Sequence, residues 1–513
     1  MVAKHFGALF IASSACLLIL ATATELFAQS GSHDVRDVSV PRLAYTKSQL
    51  KDSPSQQQQI DTTVRSALAD HVRTMMDGLS KKGRAGYKAL VGNVYLPHDF
   101  DESVVAELID EDWRSEFAAP ESFQQASDQK SSKRWETLRA FGISPRPNDR
   151  DKPLQYVKTP DGRWVMNCFA CHGGSTYGVP FPGAPNTTYA LESLTEQVRR
   201  IKLKKKLPLA HMDIGSIAMP LGTTIGTSNA VMFGVALMNY RDRDLNIFPL
   251  RPPPSMAHHD MDAPAWWQFQ RKTHMYADGF AEKGHKGLMQ FMLVKQNGPE
   301  QFRAWERDFK NVYAFLSEVK PPRYPLAIDA VAADRGRMVF RENCTQCHGS
   351  YEPTDRQYPE LNVDIDDVGT DPLRFTSLTP LHRKNYGNSW FTDYGRQQTF
   401  ERPAGYTAPP LDGIWVTAPY FHNGSVPTLR AVLFPEERPV VWRRQSESFN
   451  EQDVGFDYHG SDELPADYGK LKSFQKRYYF DTRKTGKSNQ GHDYPALLSP
   501  EQRQDLLEYL KTL

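Results

Sequence analysis

Methionine stops at Met338, and none follows it in a chain of 513 residues. Cysteine is scarce too. There are five, and four of them form two pairs at one spacing, Cys168 with Cys171 and Cys344 with Cys347. Neither sign of charge dominates, since 62 Lys and Arg face 61 Asp and Glu. That balance leaves no polybasic surface for nucleic acid and no acidic tail. A charged fraction of 24% with 11% aromatics excludes collagen, coiled coil and global disorder and fits a soluble globular chain. From Ile214 to Tyr240 charge is missing altogether, but Gly215, Pro220, Gly222, Gly226, Asn229 and Gly234 interrupt the stretch. A buried wall is expected there rather than a membrane span.

Residues 1–28 read as a secretory signal: Lys4 at the start, an uncharged run from Phe6 to Thr24, and small residues leading to Ala28. Cys16 would leave with it. An uncleaved anchor is the alternative and the one route to membrane contact. Either way the body of the protein is expected outside the cytoplasm, periplasmic or secreted. Disulfides persist there, but the remaining four cysteines have another use.

Cys168-Phe169-Ala170-Cys171-His172 and Cys344-Thr345-Gln346-Cys347-His348 are both CxxCH, the spacing of c-type haem attachment. Two thiols bond one porphyrin edge and the following imidazole is the proximal iron ligand. A zinc site built from two CxxC pairs would not need His after both, and a redox dithiol would normally occur once, in a βαβ setting. Two covalent haems are therefore expected, with His172 and His348 on iron. The sixth ligand then decides the chemistry: Met raises the potential, a second His lowers it, and an open position permits reaction. No methionine lies beyond the second motif, so its own region offers His382, His422, His459 and His492. The first haem has Met219, Met232 and Met238, or His211, His258, His259, His274 and His285, as potential sixth ligands.

Composition and periodicity divide the chain into a signal (1–28), an N-terminal extension (29–130), a first cytochrome c-like haem domain (131–330) and a second (331–513). The expected fold is mainly α with long loops. The extension opens as a flexible, glutamine-rich start to about residue 60, then carries helices near Thr62–Leu79 and Glu102–Trp113. Leu191, Leu194, Val198 and Ile201 mark a helix that runs into a basic stretch from Arg199 to Lys206. That stretch is read as a solvated face, with an acidic partner as the alternative. The chain closes in a helix with Ser499 as N-cap, Pro500 at its first position and Gln502 completing a capping box.

Leu411–Leu429, LDGIWVTAPYFHNGSVPTL, is similar to a segment that folds over the second haem in the bacterial di-haem cytochrome c peroxidase superfamily. Ala263–Ala281, APAWWQFQRKTHMYADGFA, resembles that superfamily's TPSLxNxxxxxxxFWDGRA. Within it, the chain most resembles the rubber-oxygenase-like branch. Ala277 stands where peroxidases carry a tryptophan between haems, Phe280 where they carry arginine, and no distal glutamate follows. A peroxidase needs a base and polar donors to split the O–O bond, and phenylalanine supplies neither. The resemblance implies a first haem that takes dioxygen or peroxide in an apolar distal pocket containing Phe280. It implies a second haem closed by two histidines, with the GH pair placing His492 opposite His348 and His422 structural or gating. Trp266 and Trp267 could relay electrons in place of the missing tryptophan, or serve as core aromatics. Calcium between haem domains occurs in the superfamily, although no contiguous calcium loop is present here. The expected partners are a redox protein or small electron donor and a small-molecule substrate. A non-catalytic electron carrier and a peroxidase are the competing functions.

Overall fold

A computed structural model describes residues 54–110, 131–219, 221–248, 256–393 and 399–513. The signal, with Cys16, and residues 29–53 and 111–130 of the extension lie outside the described residues. Helix Pro54–Asp77 buries Ile60, Val64, Leu68, Val72 and Met75 along one stripe. It takes in the four glutamines read as a flexible start. Glutamine is a good helix former, and Gln57 bonds both Asp61 and the Phe449 carbonyl. Helices Glu102–Asp110 and Leu191–Lys204 follow where apolar spacing indicated them, with helix Ser131–Ala140 between them in the chain.

The mainly α expectation needs correction, because the described residues form a mixed α/β fold. Two three-stranded and four two-stranded sheets sit among the helices. Most strands are two to five residues long, too short for alternation to register. The longest hairpin, Val441–Asn450 with Gly455–Ser461, shifts register between Arg444 and Phe449, and such a bulge breaks the period of two. The wall expected over Ile214–Tyr240 is also split. Helix Ala230–Asn239 buries Met232, Val235 and Met238, whereas Ile214 and Ile217 on helix His211–Ala218 are 58% and 66% exposed. No helix among the described residues is long and apolar enough to cross a membrane. The basic stretch is largely tied down: Lys202 is buried against Asp213, and Lys204 and Lys205 pair with Glu107.

Toward the C-terminus, helix Ala330–Asn343 runs into the second CxxCH motif and packs on helix Pro500–Leu510, to which the Arg335–Asp505 ion pair ties it at 2.6 Å. The capping box at Ser499 forms as read. Leu506, Leu507 and Leu510 are buried beneath it, each stabilising the fold by roughly 1.5–3 kcal/mol.

A structural repeat, with partners 145 positions apart, organises the centre. Residues 262–282 and 407–427 share an Ala-Pro near one end and a matching turn at the other, while between them the 3-10 helix falls at Trp266–Gln270 in the first and Ile414–Val416 in the second. Tyr276 and Phe421 have φ of 72° and 67°, a left-handed conformation unusual for such residues. Gly279 and Gly424 have φ of 62° and 71°, which only glycine adopts without strain. Met275 pairs with Ala281 in one copy and Tyr420 with Val426 in the other. The copies interlock reciprocally: the Asp262 N–H donates to the His422 carbonyl at 2.9 Å, and the Thr407 N–H to the Ala277 carbonyl at 2.8 Å. Trp267 Nε1 donates to the carbonyl of its own counterpart, Asp412, at 2.8 Å. These swapped contacts define a local pseudo-two-fold axis passing beside Trp267.

Candidate haem-attachment sites

Each CxxCH motif is one helical turn. Cys168 precedes helix Phe169–His172 and Cys344 precedes helix Thr345–His348. The histidine N–H closes each turn onto the first cysteine's carbonyl, at 3.1 Å for His172 and 3.0 Å for His348. A turn brings both thiols and the imidazole to one side. Burial pushes the thiols of Cys168 and Cys344 up to about 12 and that of Cys171 to about 11, and raises Cys347 as well. Such thiols are poor nucleophiles, which disfavours a redox dithiol. The two pairs do not converge on a zinc tetrad: no cluster of three or more His, Cys, Asp or Glu suited to a metal ion occurs among the described residues.

Both proximal histidines are held in the same way. His172 Nδ1 lies 3.0 Å from the Pro264 carbonyl, and His348 Nδ1 lies 2.8 Å from the Pro409 carbonyl. Pro264 and Pro409 are themselves repeat partners. A carbonyl only accepts, so Nδ1 carries the proton and Nε2 keeps its lone pair for a metal. Burial lowers the pKa of both imidazoles, that of His172 to about 4, against the smaller raising effect of the carbonyl. They are therefore neutral at physiological pH. Both histidines are half-buried. Paired thiols and an oriented neutral imidazole on one helical turn fit a covalently attached haem.

Across from His348 stands His492, with ring centroids 6.1 Å apart and planes at 68°. Two imidazoles on opposite sides of one iron have centroids about 6 Å apart, given a metal–nitrogen bond of roughly 2 Å on each side. His492 has φ of 52°, and its N–H donates to the Val368 carbonyl at 2.6 Å. Backbone held in this region by its surroundings is commonly found at functional sites. Gly491 precedes it with φ of 82°, and a Cβ there would meet the Gly369 backbone at 2.2 Å. Burial, and then the neighbouring His348 and Arg438, lower the His492 pKa to about 3. The other three histidines serve elsewhere. His422 packs tilted at 33° against Tyr406 at 4.3 Å, His382 takes part in the N-cap of helix Pro380–Gly387, and His459 lies exposed on the hairpin.

At the first motif, Trp266 stacks on His172 with centroids 5.0 Å apart and planes at 25°. Trp267 is buried against Phe181 and, through Asp412, reaches the segment that holds His348. Phe280 is 2% exposed and stacks on Tyr276 at 4.6 Å and 21°. Tyr386 meets Phe280 edge-on at 5.3 Å. The Tyr276 hydroxyl donates to Gln290 Oε1. His274 and His285 are engaged with Glu360 and Glu306 at 3.3 and 3.0 Å. Reading the sequence missed Tyr276 and the two proline carbonyls. The signal was the recurrence of Ala-Pro at 263 and 408 with Tyr-Ala-Asp-Gly at 276 and Phe-His-Asn-Gly at 421.

The class of the protein follows from comparison with known families. A family profile described as RoxA-like, cytochrome c-like matches residues 405–443, the span that includes Pro409 and the second copy of the repeat. A cytochrome c-like domain is thus present, which supports covalently bound c-type haem and electron transfer. Among particular proteins, the chain is 27% identical over 293 residues to "Uncharacterized protein y4iM" of Sinorhizobium fredii (strain NBRC 101917 / NGR234), covering 49% of this chain and 64% of the relative. It is 28% identical over 261 residues to "Uncharacterized protein y4iJ" of the same strain, covering 38% of this chain and 41% of that one. The chain thus spans less than two thirds of the length of each.

Proposed function

We propose that the protein is an exported di-haem c-type cytochrome acting as an oxidoreductase, related to the di-haem cytochrome c peroxidase superfamily. Cys168, Cys171 and His172 hold the first haem, where dioxygen or peroxide binds. Cys344, Cys347, His348 and His492 hold the second, which transfers electrons. Bound haem supplies the iron redox couple and, where a position is open, the place for a small oxygen species. The observation that carries this reading is the asymmetry of the repeat: an imidazole faces His348 beside Phe421, whereas a tyrosine occupies Phe421's counterpart position in the first copy. Trp266 on His172 and Trp267 on Asp412 support an aromatic route between the two iron ligands. The reaction needs an electron donor and an organic or oxygen substrate. Fold kinship alone does not name that substrate.

Reduction of the holoprotein under carbon monoxide tests the reading. Half of the haem, counted as two per chain, should take up the gas. Uptake at neither haem would instead indicate an electron carrier, and uptake at both would remove His492 as a ligand.

A further inference from the structure

We propose that the Tyr276 hydroxyl is the hydrogen-bond donor to the small oxygen ligand of the first haem. The proposal rests on the reading that this haem has an open position. In the second copy of the repeat, the Phe421 ring lies 6.1 Å from His492, the imidazole that faces His348. Phe421 therefore flanks the side opposite the proximal ligand. Tyr276 is its partner in the first copy, with the same left-handed φ, the same turn closed by the N–H of Gly279 or Gly424, and the same proline carbonyl holding the proximal histidine. It consequently flanks the side opposite His172.

Tyr276 is half-buried, whereas Phe280 stacked on it is buried. The stacking fixes the ring of Tyr276. Its present acceptor, Gln290, is itself 2% exposed. Tyr386 approaches Tyr276 edge-on at 6.1 Å. Burial raises both phenols above their ordinary range, so both stay protonated; Tyr386 donates to Tyr276, whose own proton goes to Gln290 until an oxygen ligand takes that place. The copy that has an imidazole in the distal place carries Phe421 and no hydroxyl. The copy without that imidazole carries the hydroxyl. An oxygen ligand accepts such a bond, and a polar donor in an otherwise apolar pocket holds it longer.

The test is the infrared C–O stretch of the ferrous carbon monoxide adduct, in unmodified protein and in Tyr276→Phe, each in H2O and D2O. The unmodified protein should show a lower-frequency band that moves in D2O. Tyr276→Phe should show a higher, solvent-insensitive band, with ligand dissociation faster by about five-fold, the worth of one ordinary hydrogen bond. The D2O shift needs no substitution, so it stands even if the variant folds poorly. An adduct whose band ignores both D2O and the substitution overturns the donor role alone. Absence of any adduct overturns the open-position reading and the proposal with it.

Discussion

Replacing Asp278 by Asn should destabilise the protein by about 3–5 kcal/mol without disturbing its backbone. Asp278 is fully buried, with Arg383 at 2.7 Å and Arg374 at 3.5 Å. At an effective dielectric constant near 20, such contacts correspond to gross attractions of roughly 6 and 5 kcal/mol. Desolvation of the three charges offsets most of that. Removing one partner of a buried pair, however, leaves the other uncompensated, at a cost of about 3–5 kcal/mol. Arg374 is the most dependent group. It is 1% exposed and none of its three side-chain nitrogens makes a hydrogen bond. The backbone tolerates the change because Asn423, the repeat partner of Asp278, already occupies the same turn, its amide donating to the Ser488 carbonyl at 2.9 Å. Chemical denaturation, followed by tryptophan fluorescence and haem absorbance, reads the effect as a lower midpoint at unchanged slope. A loss below about 1 kcal/mol would mean that the two guanidinium groups do not depend on this carboxylate.

Changing Cys344 and Cys347 together to Ala should release one haem of two, seen as a halved pyridine haemochrome yield per chain. Gly491→Ala should produce the loss of low-spin signal expected of His492→Ala while keeping the imidazole, because its Cβ would strike the Gly369 backbone at 2.2 Å; an unchanged spectrum would remove the positioning role. His422 and His259 have pKa values lowered to about 3 and about 4, by burial first and then by Arg374. The stability they contribute is complete above the unfolded value of about 6.5 and is lost as pH falls toward the folded values. His422→Phe, which keeps a ring against Tyr406, should therefore lose less stability than the unmodified protein between pH 7 and pH 4, by parallel denaturation curves. Equal slopes would contradict this.

What could be read from the chain depended on how locally the information is written. The two CxxCH motifs are complete within five residues, and the absent methionines left four histidines for the second haem, among which the family resemblance implied His492, the residue whose ring the fold sets across from His348. Backbone acceptors carry no such mark. The carbonyls of Pro264 and Pro409 orient both proximal imidazoles, yet any residue has a carbonyl, and only the fold brings these two beneath His172 and His348. Tyr276 escaped notice because its role depends on a left-handed φ and on the repeat, both of which emerge from comparing segments 145 positions apart. The small sheets were illegible for a different reason. Two-residue strands have no period, and the hairpin at Val441–Ser461 hides its own with a bulge. Ile214 and Ile217 misled because apolar composition does not distinguish a buried face from an exposed one.

The most direct measurement is low-temperature electron paramagnetic resonance of the ferric holoprotein. Two distinct haem signals are expected, one of them a strongly anisotropic low-spin signal from two imidazoles crossed near 68°, and that signal alone should vanish in His492→Ala. A single class of haem, or a spectrum that His492→Ala leaves unchanged, would contradict the division of labour between the two sites.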